Sequence, residues 1–165
     1  MEGEAGYVEF ATARGGALFR TAWLLTGDWH LAQDLVQDTL GRLYARWPAV
    51  AAADRPEAYA RTVLVRLFLS QRRRRSSTER PTALVDEVPA PDGDSDLRVT
   101  LLDALARLDR LDRSVVVLRY WQDLDAATTA ELVGLSPAAV RTRCSRALAR
   151  LREVLGDDLA HLLAR

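Results

Sequence analysis

The chain has 165 residues, 48% of them hydrophobic, which is enough for one globular domain or two small ones. Its 23 basic and 23 acidic residues cancel, and this argues against a uniformly basic nucleic-acid coat protein. No apolar run approaches the ~18 residues of a membrane span, and the N-terminus has no signal-peptide pattern. With one cysteine and hence no internal disulfide, we expect a cytoplasmic protein without a membrane segment.

Cysteine and histidine, which often carry catalysis or bind metals, are sparse in this chain. Cys144, His30 and His161 are too scattered along the chain for a metal site, and Cys144 is expected to be buried. We find no phosphate-cradling glycine loop and no nucleophile–base signature. The sequence therefore predicts a protein that is not an enzyme and has no cofactor, metal or small-molecule substrate.

Two helices are predicted at the N-terminus, over residues 5–26 and from about His30 to Trp47. Gly15 and Gly16 weaken the first helix. Its core face is predicted from Val8, Ala11, Leu18, Ala22 and Leu25, and that of the second helix from Leu31, Leu35, Thr39, Leu43 and Trp47. A polar face of the second helix includes Asp34, Gln37 and Asp38, and spacing alone favours simple exposure to solvent.

A loop over residues 48–55 is followed by a third predicted helix, which Pro56 opens and which extends to about Arg75. This helix is strongly basic, with Arg61, Arg66, Arg72, Arg73, Arg74 and Arg75. The arginine run is compatible with a disordered localisation-type signal, but as the continuation of a helix it favours contact with nucleic acid. The neighbouring Tyr44, Trp47 and Tyr59 could stack on unpaired bases or lie in the core.

Residues 76–95 contain three prolines, one glycine and five acids, a composition typical of a flexible linker. Residues 55–80 have a net charge of +6 and residues 81–112 a net charge of −5, and a second basic segment follows. Two basic segments separated by an acidic one indicate two nucleic-acid contacts in a single chain.

The remaining residues, 96–165, predict a four-helix unit. Leu97, Leu101, Leu105 and Leu108, with Val99 and Leu102, mark its first helix, and residues 111–121 form the next. A helix-turn-helix follows, in which Gly134 supplies the turn, Ser136 the N-cap and Pro137 the first helical position. The residues 156–165 are amphipathic.

The second helix of this motif has the pattern of a recognition helix that enters the major groove. Val140, Cys144, Ala147, Leu148 and Leu151 form its apolar face. We expect Arg141 and Arg143, on the two flanks, to contact phosphates. Ser136, Ala139, Thr142 and Arg146 complete the predicted DNA-binding set, with Ala139, Thr142 and Arg146 facing the groove.

The predicted fold is all-α, with two small helical domains joined by a flexible linker. The boundaries are residues 1–75 for the first domain, 76–95 for the linker and 96–165 for the second domain. A helix-turn-helix transcriptional regulator that acts without further transcription proteins is one function compatible with this fold, although such proteins are usually dimers and the first domain would then be unexplained.

Three segments together resemble the extracytoplasmic-function sigma factors of bacterial RNA polymerase, and among them the SigE family. These segments are TAWLLTGDWHLAQDLVQDTLGRLYARW, RPEAYARTVLVRLFLSQRRRR and VVVLRYWQDLDAATTAELVGLSPAAVRTRCSRALARLR, at residues 21–47, 55–75 and 115–152. Their order and spacing make the resemblance specific, and it covers nearly the whole chain. The function it implies is to direct core polymerase to promoters and to assist their opening.

The resemblance also implies partners and residue roles. Asp34, Gln37 and Asp38 would contact the clamp helices of the largest polymerase subunit. Arg61, Arg66, Arg72, Arg73 and Arg74 would contact the −10 element in melted DNA, and the helix-turn-helix would contact the −35 element. An anti-sigma factor is a further partner that the resemblance suggests.

The chain departs from the family pattern at several of these positions. Arg66 stands where asparagine is common, Thr128 where glutamate is frequent, and Thr129 where an apolar residue is usual. Asp109, Arg110 and Asp112 replace a proline-rich turn.

Overall fold

The computed structural model describes residues 2–71 and 95–164, and all of the regular structure in these two ranges is helical. This confirms the predicted all-α fold. The helices are α1 (Glu2–Thr26), α2 (Trp29–Ala45), α3 (Trp47–Ala51), α4 (Pro56–Ser70), α5 (Ser95–Ala106), α6 (Arg110–Val116), α7 (Ala126–Val133), α8 (Pro137–Leu155) and α9 (Asp158–Leu163), with a π-helical turn (Val117–Trp121) directly after α6.

Helices α1, α2 and α4 build the N-terminal half around a shared apolar core. Leu25, Leu35, Leu64 and Phe68 are among its fully buried side chains. Helix α1 continues through Gly15 and Gly16 without a break. Its packing against α2 and α4 offsets the low helix propensity of glycine.

Two residues predicted for this core lie outside it. The side chain of Leu31 is 54% exposed and that of Val8 is 55% exposed. In α2 the buried stripe instead includes Ala32 and Val36, with Leu35, Thr39 and Leu43 as predicted. Ala32, directly after Leu31, is fully buried, so the buried face of α2 is centred away from Leu31.

The segment predicted as a loop over residues 48–55 contains the short helix α3, in which Pro48 occupies the first turn. Trp47 begins this helix and is 8% exposed. Its indole packs against α1, where a Cβ atom on Gly6 would lie 3.5 Å from the indole nitrogen, and the ring centroid of Tyr7 lies 5.5 Å away. Of the aromatic residues considered for base stacking, Trp47 is therefore a core residue.

Helix α4 ends at Ser70, five residues before its predicted end. The arginine run 72–75 and nearly all of the predicted linker 76–95 lie outside the described residues.

In the C-terminal half, the predicted helix over residues 111–121 divides into α6 and a π-helical turn, in which Gln122 N–H donates to Val117 O over 3.1 Å. The wider turn accompanies a run of four fully buried side chains, Val115 to Leu118. Val99, predicted to broaden the apolar face of α5, is 54% exposed. Helix α9 follows the predicted four-helix unit, and Leu159 attaches it to the core.

The two halves pack against each other in one continuous apolar core. Among the residues that the structure describes, side chains from the second half bond directly to the first. Arg113 Nη1 donates to Leu25 O at 2.8 Å, Gln122 Nε2 donates to Thr21 Oγ1 at 2.8 Å, and Arg110 Nη1 donates to Phe68 O at 2.5 Å. The Arg110 guanidinium also lies 4.6 Å from the centroid of the Phe68 ring.

Arg113 makes one of these bonds between the halves and several more within the second half. Besides Leu25 O, its guanidinium donates to the carbonyls of Leu105, Ala106 and Leu108 at the end of α5, over 2.8, 3.1 and 3.0 Å. The bonds to Leu25 O and Ala106 O satisfy carbonyls in the last turns of α1 and α5. Leu105 O also accepts from Leu108 N–H, and Leu108 lies in the turn after α5. Burial, with nearby Arg110 adding to it, lowers the pKa of Arg113. The bond to Leu25 O of α1 makes Arg113 a direct link between the two halves.

We expect Arg113→Ala to lower the free energy of unfolding by about 2–3 kcal/mol, because buried carbonyls lose a charged donor. Urea unfolding followed by circular dichroism measures this change. The matched control is Arg107→Ala, which removes an exposed arginine from the turn between α5 and α6. If Arg113→Ala lowers the free energy of unfolding no more than the control does, Arg113 does not stabilise the packing of the two halves.

Candidate nucleic-acid interface

The helix-turn-helix forms as predicted, with a local signal at each boundary. Asp125 caps α7 by accepting from Thr128 N–H at 2.7 Å, and this bond lowers the pKa of Asp125. Gly134 ends α7 with a φ of 73°, in the left-handed region that glycine adopts at little cost. Ser136 Oγ accepts from Ala139 N–H at 3.1 Å, and Pro137 is the first residue of α8.

The apolar face of α8 is buried as predicted. Val140, Cys144, Ala147, Leu148 and Leu151 all lie in the core, and Leu155 extends the face by one turn. Cys144 is a free buried thiol whose pKa is raised by burial. Because one side of α8 is fully engaged, the opposite side is the surface that a ligand can reach.

The predicted DNA-binding residues lie on that reachable side. Ser136, Arg141, Thr142 and Arg146 are exposed, and Ala139 and Arg143 are half-buried. Ala139, Thr142, Arg143 and Arg146 together line an open depression of about 440 Å³. Arg141 lies on the other flank, about 160° from Arg143 around the helix at 100° per residue.

Three further residues line the depression and were not predicted as site residues. Arg150 continues the basic stripe one turn along α8, and Asp109 and Asp112 face it from α6. Arg143 Nη1 lies 2.6 Å from Asp112 Oδ1 and 3.8 Å from Asp109 Oδ2. The signal in the sequence was the replacement of a proline-rich turn by two acids, but spacing alone could not connect them to Arg143.

The predicted −10 residues are only partly brought together. Arg66 is exposed. Arg61 is half-buried beside a cavity of about 150 Å³ that α1, α4 and Gln122 enclose, and burial, followed by nearby Arg55, lowers its pKa. Five residues apart, Arg61 and Arg66 point about 140° apart around α4. Arg72, Arg73 and Arg74 lie outside the described residues.

The polar face of α2 forms a compact exposed patch. Asp34 and Asp38 are exposed and Gln37 is half-buried. With i, i+3 and i+4 spacing they share one side of the helix, opposite the buried stripe. Leu31, exposed at 54%, lies one turn before Asp34. The patch thus combines two carboxylates with an apolar side chain.

Thr129, one of the departures from the family pattern, is fully buried in α7. Its hydroxyl oxygen has no hydrogen-bond partner among the residues that the structure describes. An apolar residue of similar size would avoid the cost of burying this hydroxyl.

No helix within residues 2–71 and 95–164 is both long and apolar enough to span a membrane. In the same two ranges, no three His, Cys, Asp or Glu residues come together in a way that could hold a metal ion.

The turn of the motif provides a direct test of the backbone argument. We expect Gly134→Ala to lower the free energy of unfolding by about 1–2 kcal/mol, because an L-residue is strained at positive φ. A Cβ at Gly134 would meet nothing within 4 Å, so sterics with neighbours add nothing. Thermal or urea unfolding measures the change.

Gly15→Ala is the matched control, since Gly15 also has free space around it but lies inside α1. This variant should gain roughly 0.5–1 kcal/mol. Equal effects of the two substitutions would refute the assignment of strain to Gly134.

Two family matches cover the two halves of the chain. Residues 10–78 match the family described as Sigma-70 region 2, and residues 98–151 match the family described as Sigma-70, region 4.

Individual proteins show the same relationship. The chain is 38% identical over 151 residues to the RNA polymerase sigma-E factor of Streptomyces coelicolor, which covers 90% of this chain and 85% of the relative. Its fold is similar to that of the sigma factor RpoE from Bartonella quintana, solved in complex with the anti-sigma factor NepR, with a TM-score of 0.72, 27% identity and coverage of 93% of this chain and 98% of that chain. The fold is also shared with the structure of CnrH in complex with the cytosolic domain of CnrY, at a TM-score of 0.62, 21% identity and coverage of 94% and 90%.

A relative 38% identical across nine-tenths of the chain, together with matches to both sigma regions, identifies the family. The chain belongs to the extracytoplasmic-function sigma factors of RNA polymerase and is SigE-like.

Proposed function

We propose that this sigma factor binds core RNA polymerase through α2, recognises a two-part promoter through α4 and α8, and assists promoter opening. The observation that carries the proposal is that one chain presents an acidic exposed face on α2 and a capped recognition helix with exposed arginines. Core polymerase and promoter DNA are its partners, and we place its action in the cytoplasm with the polymerase.

Helix α8 is assigned to the −35 element. Small Ala139 allows the helix to approach base edges, while Thr142, Arg143 and Arg146 line the same depression. Arg141, exposed on the other flank, is suited to a phosphate of the opposite groove wall. Ser136 at the N-cap and the Ala138 N–H at the start of α8 can contact a phosphate as well, whereas Pro137 has no N–H to donate.

Helix α4 is assigned to the −10 element, with Arg61 and Arg66 as strand contacts and Arg72, Arg73 and Arg74 extending the set along the chain. Arg66 is already exposed. Arg61 is half-buried and lines the same cavity as Gln122 of the second half, so separation of the two halves would expose it more fully to DNA.

The patch on α2 is assigned to the clamp helices of the largest polymerase subunit. Asp34 and Asp38 offer charges for basic partner residues, and Gln37 offers an amide between them. Leu31 supplies the apolar contact that the centre of a protein interface commonly needs.

An anti-sigma factor is a further proposed partner. The RpoE structure named above is a complex of a sigma factor with an anti-sigma factor. The similarity to the RpoE structure extends over 93% of this chain and includes both halves. A protein that binds across the two halves would hold Arg61 in its half-buried position.

Reversing charge on α2 tests the polymerase contact. We expect the double variant Asp34→Arg, Asp38→Arg to bind core polymerase at least about tenfold more weakly, a loss of roughly 1.4 kcal/mol, because like charges would meet at the interface. The measurement is a titration of labelled sigma variant with core polymerase.

Glu4→Arg with Glu9→Arg is the matched control, since both residues are exposed on α1 and the net charge changes equally. Binding of this control should stay within about threefold of wild type. If both double variants bind like wild type, α2 is not the contact.

Arg141→Ala tests the phosphate assignment in the reconstituted holoenzyme. Binding should weaken similarly for promoter and non-promoter duplexes, and the slope of log affinity against log salt should fall by about one. Arg107→Ala, which removes an exposed arginine outside α8, is the control. Loss at only one promoter base pair would instead identify Arg141 as a base reader.

A further inference from the structure

We propose that Asp112 is a specificity-determining residue: from α6 it holds Arg143 of the recognition helix in place, so that Arg143 reads a guanine rather than a phosphate. The inference rests on the proposed function, since it concerns the same −35 contact.

The geometry of the pair is that of a fixed arginine. Arg143 Nη1 donates to Asp112 Oδ1 at 2.6 Å, a short charge-assisted bond. Asp109 Oδ2 lies 3.8 Å from the same nitrogen. Asp109 is fixed in turn, because its Oδ1 accepts from Asp112 N–H at 2.7 Å and caps α6. The two carboxylates are thus held by the start of α6 and not by flexible chain.

Burial explains why Arg143 stays with this partner. The side chain of Asp112 is only 10% exposed, whereas that of Arg143 is 36% exposed. If Arg143 turned away to follow a phosphate, a buried carboxylate would lose its charged partner, and that loss is strongly unfavourable. Arg143 therefore keeps its ion pair with Asp112 when DNA binds, and the DNA must position a base against the fixed guanidinium.

Charge then decides which ligand suits the held guanidinium. Paired with Asp112, Arg143 contributes little net positive charge, so it is a poor phosphate anchor. An arginine has five N–H donors in a planar fork, and the bonds to the carboxylates use Nη1 alone. The remaining donors match the O6 and N7 acceptors of guanine, which are uncharged and present in the major groove.

The position of the pair agrees with this role. Arg143 lines the same depression as Ala139, Thr142 and Arg146, which face the proposed DNA surface. Arg146 and Arg150 in this depression are exposed and remain available for phosphates. Arg143 is thus assigned to base recognition, whereas the exposed arginines Arg146 and Arg150 are assigned to phosphate contacts.

The experiment uses the full chain with core polymerase. Wild-type holoenzyme first selects promoters from duplexes randomised over the upstream element, and relative affinities for all four bases at each position are then measured for wild type, Asp112→Asn and Arg143→Ala. We expect wild type to prefer guanine at one position, and both variants to lose about fivefold to a hundredfold of that preference. In Asp112→Asn the released Arg143 should also steepen the salt slope by about one.

Two further variants keep the test decisive. Asp103→Asn removes an exposed acid from α5 that forms no ion pair with Arg143 among the described residues, and it should leave the preference unchanged. Arg143→Lys keeps the ion pair but lacks the planar fork, so it should fold like wild type and still lose the guanine preference. This variant gives the answer if Asp112→Asn does not fold.

The possible outcomes distinguish a failure of this inference from a failure of the proposed function. If wild type selects no promoter with core polymerase, the proposed function itself fails. If wild type selects a promoter and Asp112→Asn or Arg143→Lys retains full base preference, the function stands and the inference is overturned. A uniform loss of affinity for all sequences in Arg143→Ala would equally overturn it, because that is the behaviour of a phosphate anchor.

Discussion

The burial of four consecutive side chains, Val115 to Leu118, is the constraint on which the rest of the structure depends. An amphipathic surface helix cannot bury four residues in a row, because successive side chains point about 100° apart. The segment must therefore be enclosed on all sides. Val115 belongs to the small core of the helix-turn-helix, whereas Val116, Val117 and Leu118 belong to the larger core shared with α1 and α4.

Since α6 lies between these cores, its polar residues are distributed among different neighbours. Arg110 bonds to the end of α4, Asp112 bonds to Arg143 of α8, and Arg113 bonds to the ends of α1 and α5. Three residues within one turn thus connect both halves of the molecule and the recognition helix. A change at the start of α6 is consequently felt both in domain packing and at the surface that we assign to DNA.

Features with local causes could be predicted from the sequence. The end of α7 follows from Gly134 and the start of α8 from Ser136 and Pro137, whose conformational preferences act over a few residues. Its buried face follows from helical spacing. The sigma-factor family could be recognised because three segments in the expected order carry the family pattern, and the relatives confirm that resemblance.

Features that depend on distant packing could not be predicted. Helical spacing did not distinguish exposed Leu31 from buried Ala32, and the π-helical turn accompanies the enclosure of residues 115–118. The pairing of Asp112 with Arg143 joins residues 31 apart in the chain, which periodicity within one helix cannot reveal. The roles assigned to Asp34, Arg61 and Arg141 remain predictions, since each is defined by a partner molecule.

In vitro transcription tests the central claim most directly. Core polymerase is supplied with fragmented genomic DNA, with and without the purified chain, and the 5′ ends of the RNA are sequenced. We expect new start sites that appear only when the chain is present, each preceded by a shared two-part motif. Absence of new start sites, with core polymerase that supports initiation by another sigma factor in a parallel reaction, would contradict the central claim.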